Sequence, residues 1–239
     1  MESGVNGAVF GRSALWADRP ALVDFGAGRA VSHDTLTATV YGAASGLVRR
    51  GTRPGQAAAV YTDGVYGHLT AVFAVIAAGG VALPLTVPDP AELLAHDVRL
   101  MFTSGRLAAE AVAAADASRV RQVVSFGGGH GATEFEDLLG LDPLPLPVVD
   151  FTSKAIIAEE GDLGHDGFAE AMALLDGHLF LCERDVVLID WPPTGSADLA
   201  VLAGLAFAKG ALVVTGGGRE LGVTVAAVVE CGKRGVRRI

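Results

Sequence analysis

The stretch AAAVYTDGVYGHLTAVFAVIAAGGVALPL, residues 57–85, contains one complete strand–helix–strand unit. Ala57–Tyr61 and Val81–Leu85 are short apolar runs of the kind that form buried strands, and Gly67–Ala78 between them has the length of a buried helix. The pair Gly79-Gly80 ends that helix, because glycine is the usual residue just past a helix C-terminus. Two strands joined by a crossover helix pair in parallel. The stretch therefore predicts an α/β fold.

Part of this stretch has the length of a membrane span. Leu69–Val87 carries no charged residue and approaches the ~20 residues that cross a bilayer. Gly79-Gly80 and Pro84 interrupt it, and both disfavour one continuous helix. The N-terminal segment also lacks the basic start and apolar run of a signal peptide. We therefore expect no membrane association and a cytoplasmic location.

The composition indicates a well-packed protein with an acidic surface. Of the 239 residues, 51% are hydrophobic and 19% are charged, and the net charge is −9. The surplus of negative charge argues against nucleic acid as a partner, because the phosphates would be repelled. Cys182 and Cys231 stand in no CxxC or Cys/His cluster. We therefore expect no metal site.

Strand and helix patterns continue to alternate on both sides of the opening stretch. Ser32 is a candidate N-cap for a helix that ends at Arg49, Arg50 and Gly51. Further strands are predicted at Val98–Phe102, Val120–Phe126, Ala155–Ala158, Val186–Asp190 and Ala211–Thr215. Further helices are predicted at Pro90–Ala95, Arg106–Ala115, Phe168–Leu179, Asp198–Ala208 and, although its valines favour strand, Glu220–Lys233. The alternation predicts an α/β fold of mostly parallel sheets flanked by helices on both faces.

A proline-rich run, Leu141–Val148, forms an extended connection within this pattern. We interpret residues 1–239 as a single α/β domain with an internal seam at 141–150 between two lobes. The two sides echo each other, because residues 71–85 and 201–216 both show an apolar helix, a glycine stop and a buried strand. The echo indicates a shared architecture and not a functional repeat.

Two motifs within residues 21–96 carry a family resemblance. RRGTRPGQ (49–56) ends a helix and leads into a strand, and VALPLTVPDPAELL (81–94) follows the next helix. In this order they resemble the opening of the adenylate-forming enzymes, namely acyl-CoA synthetases, fatty acyl-AMP ligases and peptide-synthetase adenylation domains. The segment DVVLIDWPPTGSADLAVLAGLAFAKGALVV (185–214) fits a later unit of the same enzymes. The resemblance implies the N-terminal subdomains of an acyl-CoA synthetase, in truncated form.

The resemblance also locates a phosphate loop, and there the sequence departs from the family. Adenylate formation needs a loop such as Thr-Ser-Gly-Thr-Thr-Gly-x-Pro-Lys-Gly, whose N–H groups, hydroxyls and cation hold the phosphates of ATP. One alignment starts this loop at Phe151–Ser153. The alignment that we prefer makes Ala155–Ala158 the preceding strand and Glu159–Asp162 a shortened loop. The three carboxylates of Glu159–Asp162 would repel a triphosphate.

Other family motifs are missing from this sequence. The family's adenine-binding motif, ribose-binding aspartate and catalytic lysine would follow the last residue given, and residues 191–196 lack the family's histidine. The resemblance therefore supplies no ATP-binding or catalytic residue. We expect no cofactor and no adenylate formation.

Two strand exits carry the side chains that could form a ligand site. His165 and Asp190 could transfer a proton, while Trp191, Thr194 and Ser196 could contact a ligand through a ring and two hydroxyls. We expect the two strands that lead to these residues to be neighbours, which would place them in one pocket. The simpler interpretations are a partly exposed histidine beside a helix-capping aspartate, and a rigid Pro-Pro turn with Trp191 packed on the next helix.

Together these observations favour a motif-degraded pseudoenzyme related to the acyl-adenylating synthetases. It would bind a small acyl or aromatic ligand, or act through protein interaction, in a biosynthetic pathway. One alternative is an enzyme that reuses the old acyl pocket for cyclisation, dehydration or hydrolysis, so the sequence leaves enzymatic activity open. Another is a split acyl-CoA ligase. We also expect a homodimer, because the surface that later subdomains cover in the family would expose apolar residues.

Overall fold

The computed structural model describes residues 4–129, 131–140, 144–159, 161–189, 197–217, 221–230 and 233–238. The α-helices of these residues are α1 (Val5–Phe10), α2 (His33–Arg49), α3 (Val65–Ala77), α4 (Pro90–Ala95), α5 (Ala108–Asp116), α6 (His165–Leu179) and α7 (Ala197–Lys209). Short 3-10 turns cover Ser13–Trp16, Gly105–Leu107 and Phe135–Leu138.

The strands are β1 (Pro20–Asp24), β2 (Arg29–Ser32), β3 (Ala57–Tyr61), β4 (Val81–Pro84), β5 (Leu100–Ser104), β6 (Gln122–Phe126), β7 (Thr133–Glu134), β8 (Lys154–Ile156), β9 (Leu163–Gly164), β10 (Val186–Ile189), β11 (Leu212–Thr215), β12 (Val225–Glu230) and β13 (Lys233–Arg238). They form two sheets, a seven-stranded one in the order β7-β6-β5-β3-β4-β8-β9 and a six-stranded one in the order β13-β12-β10-β11-β1-β2. Among the described strands the pairs β1–β2, β8–β9 and β12–β13 are antiparallel, and all the other pairs are parallel. This architecture confirms the predicted α/β fold.

The opening stretch forms the predicted unit. β3 and β4 are parallel neighbours, with Ala57 opposite Val81, and α3 crosses between them. Every residue of α3 is buried, because the helix packs against α2, α1 and α7 as well as against its own sheet. Phe73 of α3 meets Phe10, Phe168 and Phe207 at ring-centroid distances of 5.3, 6.4 and 6.3 Å. No helix within the described ranges has the length and apolarity to cross a bilayer.

The C-terminal segment differs from the prediction. Residues 220–233 were expected to form a helix, but β12 and β13 form an antiparallel hairpin, with Ala227 opposite Val236. β12 also extends the six-stranded sheet by pairing in parallel with β10. The valines of this segment favour strand because their branched side chains are restricted in a helix. The open edge of β10 pairs with this segment, and a local sequence pattern does not show such a distant partner.

Both sheets contain strands from either side of the connection at residues 141–150. β8 and β9 follow the connection and complete the seven-stranded sheet, whereas β1 and β2 precede it and belong to the six-stranded sheet. The connection is therefore not a boundary between the sheets. The division of the domain into two lobes at this point stays a prediction.

Candidate functional site

The carboxyl ends of β3 and β5 mark the switch point of the seven-stranded sheet, where the order in which the chain adds strands reverses. From β3 the chain continues to β4 on one side, and it then crosses to β5 on the other side of β3. Residues of α3 pack on one face of the sheet and residues of α5 on the other. The chain segments after β3 and β5 therefore lead to opposite faces, and we call the sheet edge between them the crevice. Open α/β sheets bind their ligands at such a switch point.

An ion pair lies across this crevice. The Nε atom of Arg106, which follows β5, donates to Oδ2 of Asp63, which follows β3, at 2.6 Å. Burial raises the pKa of the Asp63 carboxyl, but the nearby Ser104 hydroxyl, the hydrogen bond from Arg106 and the guanidinium charge outweigh burial and lower it. Asp63 is therefore a fixed anion at neutral pH. Asp63 is therefore better suited to orient a ligand than to transfer a proton.

A second polar pair lies beside the first. The hydroxyl of Tyr61, at the end of β3, donates to Oε2 of Glu110 on α5 at 2.6 Å. Burial, the hydrogen bond to Glu110 and the charges of Glu110 and Asp63 raise the pKa of Tyr61 to about 12, against a smaller opposing effect of Arg106. Tyr61 therefore stays protonated and holds the Glu110 carboxylate in place.

The six-stranded sheet contributes a second wall at the same end. Asp24, buried at the end of β1, lies close enough that a Cβ atom on Gly64 would be 3.8 Å from its Oδ2. The guanidinium carbon of Arg29 lies 4.4 Å from the ring centre of Tyr66, and that ring meets Phe126 edge-on with centroids 6.2 Å apart. The crevice thus combines charged groups with aromatic rings. Such a lining suits an aromatic or acyl ligand that has a polar head.

The turn between β8 and β9 occupies the position that the preferred alignment gives to the phosphate loop. Its backbone closes on itself, because the Gly161 N–H donates to the Ala158 carbonyl at 3.0 Å. The ammonium group of Lys154 pairs with Oδ2 of Asp162 at 2.7 Å. The ammonium group of Lys154 and the N–H of Gly161 are therefore both bonded within the hairpin.

A cavity of about 280 Å³ lies between this turn and the carboxyl end of β4. Carboxylates of Glu92, Glu159 and Asp162 contribute to its lining, and His96 closes one side. Across the part of the chain that the structure describes, no group of three His, Cys, Asp or Glu side chains is placed to hold a metal ion. The excess of negative charge makes this cavity a poor site for a phosphate.

His165 does not lie at a strand exit. After β8 the chain returns along β9, so His165 starts α6 beside the beginning of β8, where its N–H donates to the Ser153 carbonyl at 3.1 Å. The side chain is buried, and its Nδ1 accepts from the Val5 N–H at 3.2 Å. Burial lowers the pKa of His165, against a smaller opposing effect of Asp166. The neutral ring therefore anchors the N-terminal segment.

The strands that were expected to bring the predicted site together are not neighbours. β8 belongs to the seven-stranded sheet and β10 to the six-stranded sheet, so the expectation that these two strands are neighbours is wrong. Asp190, Trp191, Thr194 and Ser196 follow β10 directly, but they lie outside the described residues. β10 is itself the switch strand of its sheet, because β11 and β12 flank it on opposite sides. The predicted ligand role of these four residues stays a prediction.

Sequence reasoning missed the pairs at β3 and β5. The signal was present, because Tyr61 ends a predicted strand and Thr62-Asp63 directly follows it, while Ser104-Gly105-Arg106 follows the next strand but one. Polar residues at the exits of parallel strands meet at one edge of the sheet.

Comparisons with known proteins agree with the fold. A family model described as AMP-binding enzyme matches residues 10–129, which is half of the chain. Among curated proteins, no sequence matches this chain.

Solved structures of ligases share the fold. A long-chain-fatty-acid-CoA ligase from Archaeoglobus fulgidus is 14% identical with a TM-score of 0.79, over 92% of this chain and 48% of that one. A benzoate CoA ligase from Burkholderia xenovorans is 17% identical with a TM-score of 0.78, over 90% and 46%. The N-terminal domain of FACL13 from Mycobacterium tuberculosis is 12% identical with a TM-score of 0.76, over 90% and 57%. This chain thus spans about half the length of the structures that it matches.

Proposed function

Since this chain belongs to the AMP-binding enzyme family, we propose that it is a non-adenylating member that binds an acyl or aromatic ligand in a biosynthetic role. The observation that carries the proposal is the β8–β9 turn, where related enzymes need a phosphate loop. Residues 157–162 connect the two strands, and this stretch contains no hydroxyl side chain and no cation.

The chemistry of the turn supports the loss of adenylate formation. A triphosphate requires several free N–H donors and a cation that approaches it closely. Here Lys154 is neutralised by Asp162, and the Gly161 N–H is bonded within the turn. The exposed carboxylate of Glu159 adds repulsion. These residues lie inside the chain, so a separate protein supplying other subdomains would not restore the loop.

The ligand itself would occupy the crevice at the carboxyl ends of the two sheets. The partly buried Phe126, which packs against Tyr66, offers ring surface, and the ion pair of Asp63 with Arg106 offers a polar contact for a head group. We assign Trp191, Thr194, Ser196 and Asp190 to the same site, because they follow β10, whose carboxyl end is a switch point of the six-stranded sheet. This assignment leaves His165 a structural role.

A pyrophosphate-exchange assay tests the loss of adenylation. The protein is incubated with Mg-ATP, labelled pyrophosphate and a panel of aromatic and fatty carboxylic acids. No saturable exchange is expected with any acid, because adenylate formation needs the phosphate loop. Saturable exchange with one acid would restore the ligase interpretation.

Ligand binding is tested with tryptophan fluorescence. The chain has two tryptophans, so a Trp16→Phe variant leaves Trp191 as the single indole. We expect saturable fluorescence changes with some acyl or aromatic compounds, and a weaker response in Asp63→Asn. The matched control is Asp116→Asn, at the exposed end of α5. A panel without any saturable response, or an equal loss in both variants, would contradict the site. Turnover of a bound compound would identify the alternative of a non-adenylating enzyme.

A further inference from the structure

We propose that the chain has a second binding site, a cationic cleft at the amino ends of β3, β5 and β6 that takes a small molecule with two adjoining phosphate groups. The cleft has a volume of about 660 Å³. It lies at the edge of the seven-stranded sheet opposite the crevice described above, since all three strands are parallel. The inference is therefore independent of the proposed function.

Three separate loops bring arginines to this edge. The turn after α2 supplies Arg50 and Arg53, the residues that lead into β5 supply Arg99, and Arg121 precedes β6. Parallel strands start at the same edge of a sheet, so residues distant in sequence converge there. The fold thus brings the four guanidinium groups together, because no single run of basic residues contains them all.

The charge balance of the cleft is opposite to that of the molecule. Its lining carries four guanidinium groups and one carboxylate, Asp97, whereas the whole chain has a net charge of −9. Asp97 is shared between Arg99 at 2.8 Å and Arg119 at 3.4 Å. One carboxylate therefore serves two arginines, and positive charge remains uncompensated.

Helix termini explain one of these arginines but not the others. Arg50 is the C-cap of α2, where a cation interacts well with the helix dipole, and it donates to the Asp137 carbonyl at 3.0 Å. Arg53 and Arg121 lie beyond any helix end and are exposed. Neither forms an ion pair with a carboxylate of the described residues. These two side chains are available to an incoming anion.

The lining indicates the class of ligand. A guanidinium group binds phosphate through two parallel N–H bonds, and arginines from several directions fit adjoining phosphates better than one small anion. No Phe, Tyr or Trp side chain lines the cleft, and Gln56 and Gln122 add further amides. The imidazole of His96 is the one aromatic ring in the lining, against four guanidinium groups, so recognition falls mainly on the phosphate groups. Inorganic pyrophosphate and the diphosphate of a nucleotide share this chemistry.

Isothermal titration calorimetry with sodium pyrophosphate tests the site. We expect saturable binding that weakens as potassium chloride is raised, because exposed charges are screened by salt. Arg53→Gln and Arg121→Gln should each lower the association constant about tenfold, the loss that corresponds to one charge-assisted hydrogen bond. The matched control is Arg184→Gln, an exposed arginine beside the six-stranded sheet, and it should bind as the wild type does.

A second titration with ADP distinguishes the source of the phosphates. Equal affinity for ADP and pyrophosphate supports a site for the diphosphate alone, and tighter binding of ADP supports a nucleotide. Absence of saturable pyrophosphate binding would overturn the proposal, and so would equal losses in Arg184→Gln and the cleft variants. Thermal melting of each variant shows that its fold is intact. The exchange assay on the β8–β9 turn reports catalysis and is unaffected by the outcome here.

Discussion

His68 is the residue whose position conflicts most with its chemistry. It lies on α3 with a relative exposure of 1%, and neither ring nitrogen has a hydrogen-bond partner among the described residues. Burial lowers its pKa to about 4. His33 is buried as well, and burial and the charge of Arg19 lower its pKa to about 4, against a smaller opposing effect of the hydrogen bond that its ring donates to the Gly210 backbone. Both rings are therefore neutral in the folded protein at pH 7.

Acid should destabilise the fold through these rings. The unfolded chain takes up a proton near pH 6.5, whereas the folded chain does so near pH 4, so stability is full above pH 6.5 and is lost as the pH falls towards 4. Each ring contributes about 3 kcal/mol to this loss. We expect His68→Leu to retain its free energy of unfolding at pH 7 and to lose about 3 kcal/mol less than the wild type by pH 4.

Urea unfolding at several pH values measures this difference. Leucine removes two buried nitrogens that lack partners, which is why no loss is expected at neutral pH. Parallel pH profiles for the wild type and His68→Leu would show that the ring does not carry the effect.

At the scale of elements, α2 shows how closely two segments approach. A Cβ atom on Gly46 would overlap the backbone carbonyl oxygen of Leu138 in the 3-10 turn Phe135–Leu138. One turn earlier, a Cβ atom on Gly42 would lie 3.4 Å from the end of the Leu139 side chain, which can move. The two glycines share a helix but differ in what they face.

Alanine substitutions should therefore have opposite effects at these positions. We expect Gly46→Ala to lower the free energy of unfolding by about 1–3 kcal/mol, because the backbone of the turn must shift. Gly42→Ala should raise it by up to about 1 kcal/mol, since alanine favours helix over glycine. Equal effects in chemical unfolding would mean that α2 and the turn are not in tight contact.

The β8–β9 hairpin is the element that decides where the later residues lie. Its return strand carries the chain from the carboxyl end of β8 back to the amino end. His165 therefore starts α6 next to Ser153 and bonds to Val5. A crossover helix directly after β8 would have left it at the crevice. Because of the short strand β9, His165 anchors the N-terminal segment and does not lie where proton transfer was predicted.

At the scale of the molecule, apolar side chains remain at the surface of α6 and its end. Leu174 is 64% exposed and Phe180 is 74% exposed. Phe180 also has a φ of 50°, a left-handed conformation that bulky residues rarely adopt. Large apolar side chains in water favour association, because burial against a second copy removes them from solvent.

We expect the chain to self-associate as a twofold dimer. Light scattering should give twice the monomer mass of 24.4 kDa at micromolar concentration. The variant Leu174→Ser/Phe180→Ser should shift the equilibrium towards the monomer, while Leu15→Ser, at an equally exposed leucine on a different element, should leave it unchanged. A monomeric wild type at these concentrations would contradict the expectation.

The sequence alone determined the character of the core. Residues 57–85 are apolar, and Gly79-Gly80 favoured strand, buried helix and strand over one continuous helix, which β3, α3 and β4 confirm. The motifs RRGTRPGQ and VALPLTVPDPAELL likewise led to the family that the comparisons support. Apolar periodicity and glycine stops are local properties, so they can be read without knowledge of the fold.

Only the tertiary structure decided which strands are neighbours and what each side chain faces. Val225–Glu230 became a strand because β10 offered a free edge, and Lys233–Arg238 pairs with it. The nitrogen of His165 found a partner 160 residues away. Asp63 and Arg106, 43 residues apart, met because β3 and β5 are paired. Such contacts depend on the order of strands in the sheets, and a local pattern of burial does not encode that order.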